Sequence, residues 1–272
     1  MALASVAMAS QGGVVLRRTL VENSTDTYKA EIKLKQNVTL PTGDQDMALT
    51  EKESYVVKTG KVDPATKTAE LTVTRTVDSV DGDPGPALEM AKSNIPKPFS
   101  TSGKLNEMGH VVFDLSKLTA TQAMAVGQSG SGNQFIQEFP EKAVKIGDTW
   151  DVPIPKSLIT SPVDQKLTAT LTGEKKVGDK DCWVITTAGT LNIDIDTEKL
   201  PEDPDATGPM GNPKMHITGP ATITMEILVD KSNGKTIKVD AKSKSTSKIE
   251  LAAAGLTIDA TSVATSTITL QN

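Results

Sequence analysis

Residues 215–229 alternate strictly. Met215, Ile217, Ala221, Ile223, Met225, Ile227 and Val229 share one parity, and His216, Thr218, Thr222, Thr224 and Glu226 the other. Successive side chains of a strand point to opposite faces, so this spacing makes one apolar and one solvated face. The pattern returns at residues 28–40, where Tyr28, Ala30, Ile32, Leu34, Val38 and Leu40 oppose Lys29, Glu31, Lys33 and Lys35. It returns again at residues 48–62, 67–80 (Leu71, Val73, Val77), 166–176 and 181–196 (Trp183, Ile185, Leu191, Ile193, Ile195). A further stretch begins with Ile237, Val239 and Ala241 and thins to Ser243, Ser245 and Ser247; the last carries Leu256, Ile258, Ala260, Ala264, Ile268 and Leu270. Turn chemistry separates the stretches: Pro41-Thr42-Gly43-Asp44, Asp63-Pro64-Ala65-Thr66, residues 81–86, Gly178-Asp179, and Asn233-Gly234 within a loop longer than two residues. Residues 110–114 read as one more short strand, and Trp150 opens another. Helical spacing is confined to residues 86–94, stopped by Pro96 and Pro98, and to residues 115–126, where Ser116 caps Leu118, Met124 and Ala125. The expected fold is mainly β: a large curved antiparallel sheet or half-barrel with one or two short helices.

A sheet with one apolar face needs a cover. Two short helices are little cover for so many long strands, in a chain that is 37% hydrophobic and 3% aromatic. The sheet must therefore curl over itself or leave a concave apolar surface, and that mismatch argues for a ligand cavity. Candidate lining residues are Trp150, Trp183, Ile185, Ile217, Ile223 and Met225, with the two tryptophans as rigid anchors. Taken singly, each is first of all a core residue. A buried Trp alone removes ~150–250 Å² from water.

The run Phe139-Pro140-Glu141-Lys142-Ala143-Val144-Lys145-Ile146-Gly147-Asp148-Thr149-Trp150 stands between a Gly/Ser-rich break at residues 127–133 and the later strands. It resembles an (aromatic or Leu)-Pro-x-Lys-x-Val-x-x-Gly-Asp-x-Trp box of uncharacterised secreted or lipoprotein-type bacterial β-proteins. Those proteins are similar to LolA/LppX-like lipoprotein-carrier half-barrels. The resemblance implies a curved sheet and a secreted or periplasmic location, and names no activity. Residues 1–25 read as a signal-peptide remnant or disordered tail: Ser5-Val6-Ala7 and Ala7-Met8-Ala9 fit an Ala-x-Ala-like cleavage site without a basic segment before them. Residues 26–272 read as one β-rich domain, with a seam at residues 127–134 if it has two lobes.

A formal charge of −5 and a pI near 5.2 exclude a nucleic-acid surface, which needs a basic face. No apolar run reaches the ~20 residues of a transmembrane helix. Cys182 is alone, so no internal disulfide and no cysteine-based zinc site is available; beside Trp183 it reads as a small buried hydrophobe. The two histidines, His110 and His216, fall inside expected strands without a partner nucleophile, and His216 falls on the solvated face. An acidic cluster at Asp194, Asp196, Glu198, Asp203 and Asp205 is a weak calcium candidate: it matches no EF-hand loop and reads first as a solvated acidic loop.

The expected function is non-enzymatic: a secreted or periplasmic protein that holds an apolar, lipid-like ligand in the concavity, without a cofactor. The rival is a structural or interaction protein of the cell envelope, with a packed core, an envelope partner and no small ligand. A hydrolase built on an acidic pair comes last.

Overall fold

In the computed structural model, the residues described are 12–40, 43–93, 95, 97–114, 122, 135–156, 161–199, 214–251 and 255–271. The alternating stretches form strands: β1 (Thr25–Leu40), β2 (Gly43–Asp63) and β3 (Thr68–Gly82), then helix α1 (Pro86–Ser93), then β4 (Phe99–Asn106) and β5 (Val111–Phe113). The second half is β6 (Thr149–Ile154), β7 (Gln165–Val177), β8 (Lys180–Asp196), a single 3-10 turn (Thr197–Lys199), β9 (Met215–Asp230), β10 (Thr236–Leu251) and β11 (Leu256–Gln271). They make one antiparallel sheet of 11 strands in the order β5-β4-β3-β2-β1-β11-β10-β9-β8-β7-β6. Two meanders thus join edge to edge where β1 pairs with β11, Tyr28 opposite Leu270 and Ala30 opposite Ile268. The sheet is open, with β5 and β6 as its edges.

Packing shows that the sheet is curved. Leu71 and Val73 of β3 and Ile185 of β8 belong to one buried cluster with Phe135. In a flat sheet the six strand spacings from β3 to β8 would span about 29 Å, at ~4.8 Å each. Consecutive residues also bridge the wings: Arg18 N donates to Glu107 O after β4 and Thr19 N to Asn233 O before β10, elements that five strand spacings would hold ~24 Å apart in a flat sheet. The sheet therefore bends towards the segment that packs with Phe135. The face holding Phe135 is therefore the concave one.

Among the described residues, the cover over this cluster comes from two irregular segments. Phe135, Ile136, Phe139 and Val144 are all buried in the cluster, as is Leu16, and Val14 and Leu20 pack against it. The tail expected over residues 1–25 is packed structure from residue 12 onward. Val14 and Val144 exchange backbone hydrogen bonds of 2.7 and 2.9 Å, Arg18 N donates to Glu107 O, and Thr19 N donates to Asn233 O. This segment straps one end of the curved sheet, tying the β4–β5 turn to the β9–β10 loop. Gly234 lies under the strap at φ 70°, and a Cβ there would sit 2.1 Å from Arg17 O.

Three expectations change. β4 was not anticipated, since Phe99-Ser-Thr-Ser-Gly-Lys-Leu-Asn lacks a branched alternation. His110 lies in the turn before β5, not in a strand. A bulge at Lys52/Glu53 shifts the β2–β3 register, pairing Glu53 with Val77 but Glu51 with Val80, so Val80 rather than Ser79 continues the concave row. The helix expected over residues 115–126 (Gln122 apart), the seam at residues 127–134, and Asp203 and Asp205 lie outside the described residues. Among the described residues, no helix is long and apolar enough to cross a membrane.

Candidate ligand-binding site

Cross-strand register orders the concave face into rows. Beneath the cover, Val77, Glu53, Ala30, Ile268, Val239, Ile227, Ile185 and Leu171 form one row. Apart from Val77, each member is at most 4% exposed. Phe135, 1% exposed, closes this end by stacking on Tyr28 at 5.1 Å and tilting onto Tyr55 at 5.2 Å.

The Phe139–Trp150 box builds the same end. Phe139 and Val144 point into the core. Arg17 donates to Pro140 O at 2.8 Å and Glu141 O at 2.7 Å. Gly147, at φ 97°, and Asp148 make the turn that pairs with Leu171, and Asp148 Oδ2 accepts from Lys145 N at 2.8 Å. Trp150 Nε1 donates to Glu138 O at 3.0 Å. The box is thus the closing element of the curved sheet, with an architectural role for each of these residues.

Further along the strands the face changes. Leu34 and Leu49 face each other on one side, and Ile223, Leu191 and Ile193 lie on the other; all are partly exposed. Between them, β10 and β11 present small residues: Ser243 opposite Ala264, Ser245 opposite Ser262, and Ser247 opposite Ala260. Small side chains between branched ones leave a trough. It runs from Ile32 to Leu40 along β1, about 27 Å at ~3.4 Å per residue, and ends at the row of Ile258, Ile249 and Ile217.

All six candidate lining residues lie on the concave face, yet they do not form one site. Ile185 is fully buried beneath the cover. Trp183 is half-buried at the same end, with Lys231 Nζ 4.1 Å above its ring. Trp150 instead lines an open depression of about 740 Å³ with Met108, Pro140 and Asp151. Met225 sits at the border of the cover, opposite Ala241 and Thr187, while Ile223 walls the trough and Ile217 closes its far end. The acidic candidates are engaged elsewhere: Asp194 Oδ1 meets His216 Nε2 at 2.8 Å, and Asp196 pairs with Lys199 at 3.0 Å. Among the described residues, no three metal-ligating side chains converge. His216, its side chain 43% exposed, stands between the carboxylates of Asp194 and Glu250. Cys182 is buried, and burial raises its thiol pKa.

The concave face also holds a polar cluster at the junction of cover and trough. Arg75 Nη2 donates to Glu51 Oε1 at 3.1 Å and to Glu53 Oε1, and the Tyr55 hydroxyl donates to Glu53 Oε2. Glu53 is 0% and Arg75 7% exposed, while the Glu51 side chain, nearer the trough, is 32% exposed. Burial, then the adjacent Glu53, pushes Glu51 up to about 7; burial and Glu53 also raise the Tyr55 phenol. The alternation held a signal for this cluster: Glu51, Glu53 and Tyr55 share parity with Val57, and Arg75 with Val73 and Val77.

No protein-family model matches the chain, and no curated protein matches its sequence. Among solved structures, lipovitellin, described for its lipid–protein interactions, aligns over 93% of this chain at 8% identity and a TM-score of 0.44. The chain spans only 25% of that protein's length. DynF, from the dynemicin biosynthesis pathway of Micromonospora chersina, aligns over 100% of this chain and 91% of its own, at 9% identity and a TM-score of 0.25. A putative outer membrane lipoprotein-sorting protein domain from Vibrio parahaemolyticus aligns over 90% and 83%, at 7% identity and a TM-score of 0.16. With every TM-score below 0.5, none of these likenesses assigns a ligand or an activity to this chain.

Proposed function

We propose that this protein binds an apolar, lipid-like ligand, without catalysis, in the trough of its concave face, and that it works as a secreted or periplasmic protein. One observation carries the reading. Among the described residues, the apolar concave face continues well past its cover, with the small residues of β10 and β11 between walls of Leu34 and Leu49 on one side and Ile223 and Leu191 on the other. A sheet built only to be packed would fill that floor with large side chains. The Ala-x-Ala-like start and the box at residues 139–150 support the location.

The energetics are consistent with this. About twelve methylenes leaving water contribute roughly 10 kcal/mol at ~0.8 kcal/mol each. Association costs at least ~4 kcal/mol. The remainder corresponds to a dissociation constant between micromolar and millimolar from the chain alone.

Ser245→Leu tests the reading by filling the floor between the walls. The native protein should enhance the fluorescence of N-phenyl-naphthylamine saturably, and the variant should lose that binding while staying folded. Unchanged dye binding in a folded Ser245→Leu protein contradicts the trough. Absence of dye binding in both leaves the packed envelope protein as the better reading.

A further inference from the structure

Arg75 is in an unusual position. Its side chain is 8% exposed, and Nη2 is shared between Glu51 and Glu53. Among the described residues, its buried Nε and Nη1 have no hydrogen-bond partner. A buried N–H without an acceptor is destabilising, and more so when charged. A fold keeps such a group when something else supplies the acceptor. The cluster lies at the head of the trough: Glu51 faces Ile32, and the next row along is Leu49 opposite Leu34.

We propose that the Glu51–Glu53–Arg75 cluster is the polar-head subsite of the trough, and that it selects an uncharged acyl ester or amide, whose carbonyl accepts from the guanidinium, over a fatty-acid anion. This rests on the reading of the trough as a lipid site and adds the class of lipid. Charge decides against the anion. Two carboxyl groups already share one guanidinium, and a carboxylate head would bring a third into a site of low dielectric. Burial first, and then the neighbouring Glu53, already raise the pKa of Glu51. A cationic head fails for a different reason: an amine brings donors only, and leaves the guanidinium N–H groups unmet. A carbonyl oxygen accepts from Arg75 without adding charge, and a neighbouring hydroxyl, as in an acylglycerol, can donate to Glu51. The acyl chain then runs along the trough floor over Ser243 and Ser245.

The test is displacement of N-phenyl-naphthylamine from the native protein at neutral pH by monooleoylglycerol, oleate and oleylamine, which share one chain length. Monooleoylglycerol should displace the probe at concentrations at least tenfold lower than oleate or oleylamine, and should be recovered unhydrolysed. Glu51→Gln abolishes the charge that Glu51 carries at neutral pH and keeps the shape, so it should narrow the preference for monooleoylglycerol over oleate three- to tenfold. Arg75→Lys removes the forked donors and keeps the charge; if folded, it should lose most of the preference for the ester. Oleate as good as the ester in the native protein, or an unchanged ratio in Glu51→Gln, overturns the subsite and leaves the trough standing. A native protein that does not bind the probe overturns both.

Discussion

Glu51→Gln should make the protein more stable above neutral pH and leave it unchanged in acid. Glu51 shares Arg75 Nη2 with Glu53 and lies beside a carboxyl that is closed off from solvent. Burial and that neighbour move it from an ordinary 4.5 up to about 7. A carboxyl whose folded-state pKa is raised binds its proton more tightly in the folded than in the unfolded chain. Stability therefore falls as pH rises from about 4.5 to about 7, and is flat on either side as far as this group is concerned. At ~1.36 kcal/mol per pH unit the full span sets an upper bound of about 3 kcal/mol. A third of the side chain is exposed, so solvent screening reduces that to about 1–2 kcal/mol. Gln cannot titrate and keeps the acceptor for Arg75. The variant should match the native protein near pH 4.5 and exceed it by about 1–2 kcal/mol at about pH 8. The assay is urea unfolding of both proteins across that range, followed by tryptophan fluorescence. Taking the difference between them cancels the contributions of groups the substitution does not touch. A variant no more stable than the native protein at about pH 8, or an advantage larger in acid than in base, refutes this account of the cluster.

Phe135→Ala should destabilise by about 3–5 kcal/mol, because the ring is buried against both Tyr28 and Tyr55; a loss under 1 kcal/mol in denaturant unfolding would mean that residues 135–144 do not close the sheet. Gly234→Ala should cost more than the ~1 kcal/mol expected of a left-handed glycine alone, because the added Cβ meets Arg17 O, and limited proteolysis should then cut within residues 12–24 first.

The strands were legible because they are long and strictly alternating; the period of residues 215–229 survives intact in β9. What escaped lacks a period. The cover is two irregular segments, and Phe135-Ile136 follows a Gly/Ser-rich run that gives no strand or helix signal. In residues 12–20 a short alternation was present, with Val14 and Leu16 inward and Val15 56% exposed, but an Ala-rich start obscured it. The bulge at Lys52/Glu53 cannot be read from one strand, since it is a property of the pairing. For the candidate site, the apolar face was legible and its division was not. Whether Ile185 and Ile223 are core or wall depends on what lies over each row, and the alternation records only that both face inward. The same alternation puts Glu51, Glu53 and Arg75 inward as well, as polar members of an otherwise apolar face.

Native mass spectrometry with solvent extraction of the purified protein tests the central claim most directly. A stoichiometric adduct that extracts as an acyl-bearing lipid, and is absent from the Ser245→Leu variant, is the result expected of a trough that holds a ligand. A clean apo mass, with no uptake when the protein is incubated with monooleoylglycerol, would contradict it.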